Sequence, residues 1–284
     1  MDVTYCFTAN QDEEVSEDSF FMSETNRKVA DMLRMKILND KRYSGMIWSI
    51  VLGAVFLILS LGGHRFLDGT PWFLYSSILR LIFGFLVLFI MNRLFGKSIC
   101  EIISFQNWQN ALFLGFGFII YATYFIALVI IGTKAVIGLS LGLIISRLFL
   151  QQLTTGFYEE LCTRALVIEG YFHQECKSLR AKSFYVIASA IIFGCIHITT
   201  GWDTYIFVFT AIVGFSFAVV YVKTRNVVIP MLLHFVYDIF ANFTDYVEYS
   251  SSAIFNALNT AYYVMVGVML IISIFMLVKP EKRA

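Results

Sequence analysis

Residues 153–172 read LTTGFYEELCTRALVIEGYF, and Glu159, Glu160 and Arg164 stand in the middle of a segment otherwise apolar enough for a membrane. Two later apolar segments carry related insertions: Phe193-Gly194-Cys195-Ile196-His197 and His234-Phe235-Val236-Tyr237-Asp238. An ionisable side chain at bilayer depth costs about 2.5–3.5 kcal/mol on insertion scales, so such groups are rarely accidental and face one another, water or a substrate. Carboxylates, an arginine and two imidazoles are the inventory of a hydrolytic site. An intramembrane enzyme is the first reading.

Composition agrees. Hydrophobic residues make up 58% of the chain and charged residues 14%, against about 45–50% and 25% in soluble domains. The mean hydropathy is +0.74. At roughly 20 residues per span, the 284 residues hold about eight helices and no second globular domain. The net charge of +1 says nothing about partners, because in such a chain the placement of charge matters. The five cysteines include no CxxC pair, so we expect buried small side chains rather than a disulfide framework or a zinc knuckle.

Residues 1–26 contain several acids and no lysine or arginine, which reads as a soluble acidic tail. From Arg27 to Arg42 basic residues surround Val29, Leu33 and Ile37 at helical spacing; a basic amphipathic surface helix and a solvated linker both fit. No basic stretch precedes an apolar core at the start, so a cleaved signal is not expected. Residues 1–42 form a cytoplasmic segment in this reading, 43–279 a transmembrane domain with its core motifs at 137–244, and 280–284 a cytoplasmic tail. The apolar segments run over 44–63, 73–95, 109–132, 137–172, 183–200, 204–222, 227–244 and 254–278. Basic residues alternate sides, with Arg93 and Lys97, then Lys177, Arg180 and Lys182, then Lys223 and Arg225, then Lys279 on one side. The positive-inside rule makes that side, and both ends of the chain, cytoplasmic. The expected fold is an all-α polytopic membrane protein with motifs on spans four, five and seven, integral to a bacterial plasma membrane.

At about 1.5 Å per residue, Glu159, His197 and Asp238 lie about 21, 22 and 20 Å from the cytoplasmic ends of their helices. The three motifs therefore share one layer. Within them, Glu160 and Arg164 are four apart and able to pair, while Glu159 points about 100° away and stays unpaired. His234 and Asp238 share a face, so both address one carbonyl or they bond each other. Phe193 shares a face with His197 and shields it. Pro230 suits the first turn of its helix. Asn242, one turn beyond Asp238, is a further candidate donor. Arg80 and Arg147 read as structural partners or snorkelling side chains, and Gly194 and Gly214 as sites of close helix packing.

The pattern Glu159 to Arg164, Phe193 to His197, His234 to Asp238 resembles the EExxxR, FxxxH and HxxxN motifs of the CPBP membrane proteases, which include the CAAX prenyl endopeptidases such as the Ras-converting enzyme and the bacterial Abi-type proteins. The resemblance covers residues 137–244. It implies that Glu159 is the general base activating water, that His197 helps hold that water, and that His234 and Asp238 stabilise the oxyanion. Glu160, Arg164 and Phe193 are then structural support. Asp238 departs from the family's commoner asparagine: an ionised carboxylate repels an oxyanion, whereas a neutral carboxyl donates to it, or else Asp238 orients His234.

No cofactor is expected. The alternative is a divalent metal such as zinc, since Glu, His and Asp are also metal ligands, although no HExxH helix is present. The expected partners are the bilayer and a peptide or protein substrate in or at the membrane, with no nucleic acid. The rival readings are a bacteriocin-immunity or scaffolding protein that retains the motifs without proteolysis, and a proton-coupled transporter.

Overall fold

The computed structural model describes residues 40–197 and 203–280. The acidic tail, most of the basic segment and residues 281–284 lie outside the described residues.

The chain is a bundle of helices linked by short turns. Helices α1 (Ser44–His64) and α2 (Gly69–Phe95) form an antiparallel pair, followed by the short α3 (Ile99–Ile102). Helices α4 (Trp108–Leu114) and α5 (Phe116–Gly132) meet at a 69° bend. A helical run over 141–172, here α6, comes next, then α7 (Leu179–Ile196), α8 (Thr204–Thr224), α9 (Val228–Phe243) and α10 (Ser252–Val278). Two strands, β1 (Thr133–Val136) and β2 (Val247–Tyr249), pair antiparallel with Val136 opposite Val247 and Thr133 opposite Tyr249. The largely helical bundle agrees with the all-α expectation, and one small sheet is added to it.

Five helices among the described residues are long and apolar enough to cross a membrane, and the bent α4–α5 pair makes a sixth. The two remaining apolar segments differ from the simple rods expected of them. Helix α9 has 16 residues, about 24 Å of rise, less than a hydrocarbon core of about 30 Å. Helix α6 is not one uniform helix. Ile144–Gln151 and Leu161–Leu166 are wound as π-helix, flanking the α-helical Gln152–Glu160. Such π segments recur at functional sites, and the second begins directly after the two glutamates.

Side chains secure the helix ends. Gly96, with φ at 71°, ends α2 in the left-handed conformation that glycine adopts without strain. Ser98 then opens α3 with a capping box. Its N–H and hydroxyl donate to Glu101 Oε2 at 2.7 and 2.8 Å and hold that carboxyl below the usual carboxylate range. Ser178, Asp203 and Ser251 cap α7, α8 and α10, each supplying an acceptor for an N–H that has no partner within the helix.

The two ends of the bundle differ. At one end the chain enters beside the close of α6, where the Tyr185 hydroxyl donates to the Arg42 carbonyl at 2.5 Å. There Lys97 Nζ pairs with buried Glu169 at 3.1 Å, the Tyr221 hydroxyl donates to the same carboxylate at 3.3 Å, and the Arg225 guanidinium lies over Phe172. At the other end are β1, β2 and the turn between α9 and β2. Arg147, expected to be a structural partner, binds the Asp245 carboxylate there and donates to the Tyr246 hydroxyl at 2.9 Å.

Candidate active site

Close backbone approach brings α6 and α9 together. A Cβ on Gly156 would stand 2.9 Å from the Met231 carbonyl oxygen, so glycine is what lets α9 lie against α6 here. One turn further along each helix, Glu160 and His234 meet, with His234 Nδ1 at 3.1 Å from Glu160 Oε1. Glycine acts similarly between α7 and α8. A Cβ on Gly214 would press on the Phe193 ring at 3.0 Å, and that ring occupies the space instead. Phe193 is the hub of the buried layer: the Arg164 guanidinium lies 4.1 Å from its centroid, and its centroid is 4.5 Å from that of His197 and 5.7 Å from that of His234.

The polar groups divide into two sets. The first is closed on itself. Arg164 Nε stands 3.0 Å from Glu160 Oε2 with both side chains wholly buried, and the guanidinium also reaches the Ser189 hydroxyl at 3.3 Å. Ser189 in turn donates to the Thr163 carbonyl at 2.6 Å. Glu160 holds His234 through Nδ1, and Asp238 Oδ2 stands 3.2 Å from His234 Nε2. Of the two arrangements open to His234 and Asp238, addressing one carbonyl or bonding each other, the structure has the second. A ring protonated at both nitrogens donates to both carboxylates; a neutral ring has one donor for two acceptors, unless Asp238 carries the proton.

The second set is open. Glu159 is 6% exposed, and its Oε2 is buried without a hydrogen-bond partner among the described residues. That oxygen stands 3.6 Å from His197 Nε2, too far for a direct hydrogen bond. His197 follows the last residue of α7, and its Nδ1 lies 2.8 Å from the Phe193 carbonyl oxygen. A carbonyl only accepts, so Nδ1 carries the hydrogen, and Nε2 is the nitrogen turned toward Glu159. The two groups border a cavity of about 210 Å³. Arg80, Gln151, Gln152, Thr155 and Asn242 also line it, whereas His234 and Asp238 do not.

Arg80 enters the site as a wall residue that the sequence reading had placed in a structural or snorkelling role. It bonds the Ser76 hydroxyl, its Nε is buried without a hydrogen-bond partner among the described residues, and its guanidinium carbon lies 5.3 Å from the Phe56 centroid. Asn242 donates from Nδ2 to the Asp238 carbonyl at 2.9 Å. Gln151 and Gln152 were missed. Their signal was a pair of amides inside an apolar run, with Gln151 on the four-residue steps that lead from Arg147 to Glu159.

Residues 141–240 match the family model described as Rce1-like, a type II CAAX prenyl endopeptidase. They form a CAAX-protease domain. No curated protein and no solved structure matches the chain. The CAAX-protease match runs from the start of α6 into α9 and takes in all three motifs, so the chemistry of the domain is peptide-bond hydrolysis in an integral membrane protein. Helices α1 and α2, which give the cavity Phe56, Ser60 and Arg80, lie outside it. Among the described residues, no three His, Cys, Asp or Glu side chains are grouped to hold a metal ion. Glu160, His234 and Asp238 turn their ligand atoms on one another, and Glu160 also faces Arg164.

Proposed function

We propose that this protein is an intramembrane endopeptidase in which Glu159 is the general base. The supporting observation is its buried Oε2, without a hydrogen-bond partner among the described residues, bordering the cavity 3.6 Å from His197 Nε2. One water at the apex of this pair hydrogen-bonds both, at distances usual for such bonds. The water donates one proton to the Nε2 lone pair and the other to Glu159, leaving an oxygen lone pair free to attack a substrate carbonyl. Glu159 takes the proton as the carbon–oxygen bond forms and passes it to the leaving amine as the carbon–nitrogen bond breaks. General-base assistance of this kind contributes about 10²–10⁴ in rate.

The negative charge that develops on the carbonyl oxygen needs donors. Arg80 and Asn242 line the cavity and supply them; each donor aimed at a developing oxyanion contributes about 2.7–4 kcal/mol. His234 and Asp238 act one layer behind, since both ring nitrogens of His234 face carboxylates. Glu160 and Arg164 fix α6 so that Glu159 keeps its aim. The substrate is a peptide or protein segment at the membrane, and all eight apolar segments cross or enter the bilayer with both chain ends on the cytoplasmic side.

The test compares the membrane peptidome of cells carrying the wild-type chain with that of cells carrying Glu159→Gln. Cleavage fragments present with the wild type disappear with the variant. Identical peptidomes from equally well-folded proteins would reject the protease reading.

A further inference from the structure

Along α6 the side chains at four-residue steps are Arg147, Gln151, Thr155 and Glu159. Residues at this spacing share a face, so the four make a polar stripe. Its outer end is the Arg147–Asp245 pair beside the sheet, where Asp245 is exposed. Gln152 joins the stripe by donating to the Arg147 carbonyl at 2.9 Å. The stripe then passes along the cavity wall, through Gln151 and Thr155, to Glu159.

Continued the other way, the same step gives Thr163 and Val167, neither of them exposed at all. The Thr163 hydroxyl is turned back onto the Glu159 carbonyl at 2.6 Å. Around them Leu161, Ala165, Leu166 and Ile168 are also wholly buried. A polar route leads from Glu159 toward the sheet end of the bundle, and packed apolar side chains close the opposite direction. The other walls agree. His197 follows the last residue of α7, Asn242 is the last but one of α9, and Ser60 lies about 6 Å of helical rise from the end of α1.

The closed end is where α1 begins and α10 finishes, and where Lys97, Arg180, Arg225 and Lys279 gather. An excess of lysine and arginine marks the cytoplasmic side. We infer that the substrate reaches Glu159 from the non-cytoplasmic side, through the passage lined by Gln151, Gln152 and Thr155. The substrate class is then a peptide segment presented at the outer face of the membrane, as on an exported chain, and not a lipidated C-terminus in the cytoplasm. The substrate part rests on the protease reading above; the route does not.

The test uses the full-length chain in cells, with Cys6, Cys100 and Cys195 replaced by serine, buried Cys162 kept, and exposed Cys176, between α6 and α7, kept as a reporter of the closed end. Ser60→Cys and Gln151→Cys are introduced separately, so that one variant stands if the other fails to fold. A charged, membrane-impermeant methanethiosulfonate is applied to intact and to permeabilised cells, and the mass of the protein is read. Both cavity cysteines are modified in intact cells, while Cys176 gains mass only after permeabilisation. Cavity cysteines modified only after permeabilisation, or in neither preparation, overturn the route. Modification of Cys176 in intact cells overturns the orientation. No substrate enters the measurement, so the route can fail while Glu159-dependent cleavage stands, and the reverse.

Discussion

Glu159 and Glu160 are neighbours in sequence, both buried, on one helix, and their surroundings are opposite. Glu160 is enclosed by Arg164 and His234, and Glu159 keeps an oxygen without a hydrogen-bond partner among the described residues at the edge of a cavity. The 100° between adjacent helical positions is enough to put one carboxylate among fixed partners and the other on the wall of a cavity. A dry interior makes the separation sharp. A buried charge needs a partner, and a reactive one needs a partner that is absent until the reaction.

The widest separation is expected between two isosteric variants. Glu159→Gln lowers kcat by about 10²–10⁴ and leaves thermal unfolding in detergent where it was. Glu160→Gln strands Arg164 and lowers stability by about 3–5 kcal/mol, read as a fall in Tm. If both variants lose activity at unchanged Tm, the division between the two sets collapses. Next in size is Arg80→Gln, which removes a donor from the open set and lowers kcat by about 10²–10³ with little change in KM. An unchanged kcat would return Arg80 to the snorkelling role.

Asp238 probes the closed set. Asp238→Asn keeps an acceptor for His234 and retains most of the activity, whereas Asp238→Ala loses it; a well-folded but inactive asparagine variant would show that the carboxyl itself is required. The smallest effect belongs to a carboxylate paired in water. Ser98 holds Glu101 below its ordinary range in the folded chain, so its contribution is present above the unfolded value and fades as pH falls through the folded one. Glu101→Gln flattens that acid limb of the Tm-against-pH curve, leaving the neutral region nearly level.

Much of the layer could be read from the sequence because two rules act together there. The bilayer penalty makes each polar residue informative, and helical periodicity fixes its direction. The Glu160–Arg164 pair, the Phe193–His197 contact and the meeting of side chains from α6, α7 and α9 all follow from spacing. Other features carry no such mark. Nothing in the composition of Leu161–Leu166 announces π winding. The strands Thr133–Val136 and Val247–Tyr249 are too short for an alternating pattern to emerge. Arg80 sits in a helix without a motif, and only tertiary packing brings it to the wall of the cavity. The engagement of both His234 nitrogens is likewise a property of two helices at once, since Glu160 comes from α6 and Asp238 from α9.

The two π segments of α6 also make its register adjustable by whole residues. Each hydrogen-bonded loop there encloses one residue more than in the α-helix beside it. Deleting a single residue from Leu161–Leu166 lets the backbone rewind as ordinary α-helix with the turns on either side still in phase. The α-helical Gln152–Glu160 has no spare residue to give up, and a deletion there swings the turns toward the sheet end by about 100° about the axis. One lost codon is absorbed in the first stretch and carries Gln151 and Arg147 off their face in the second.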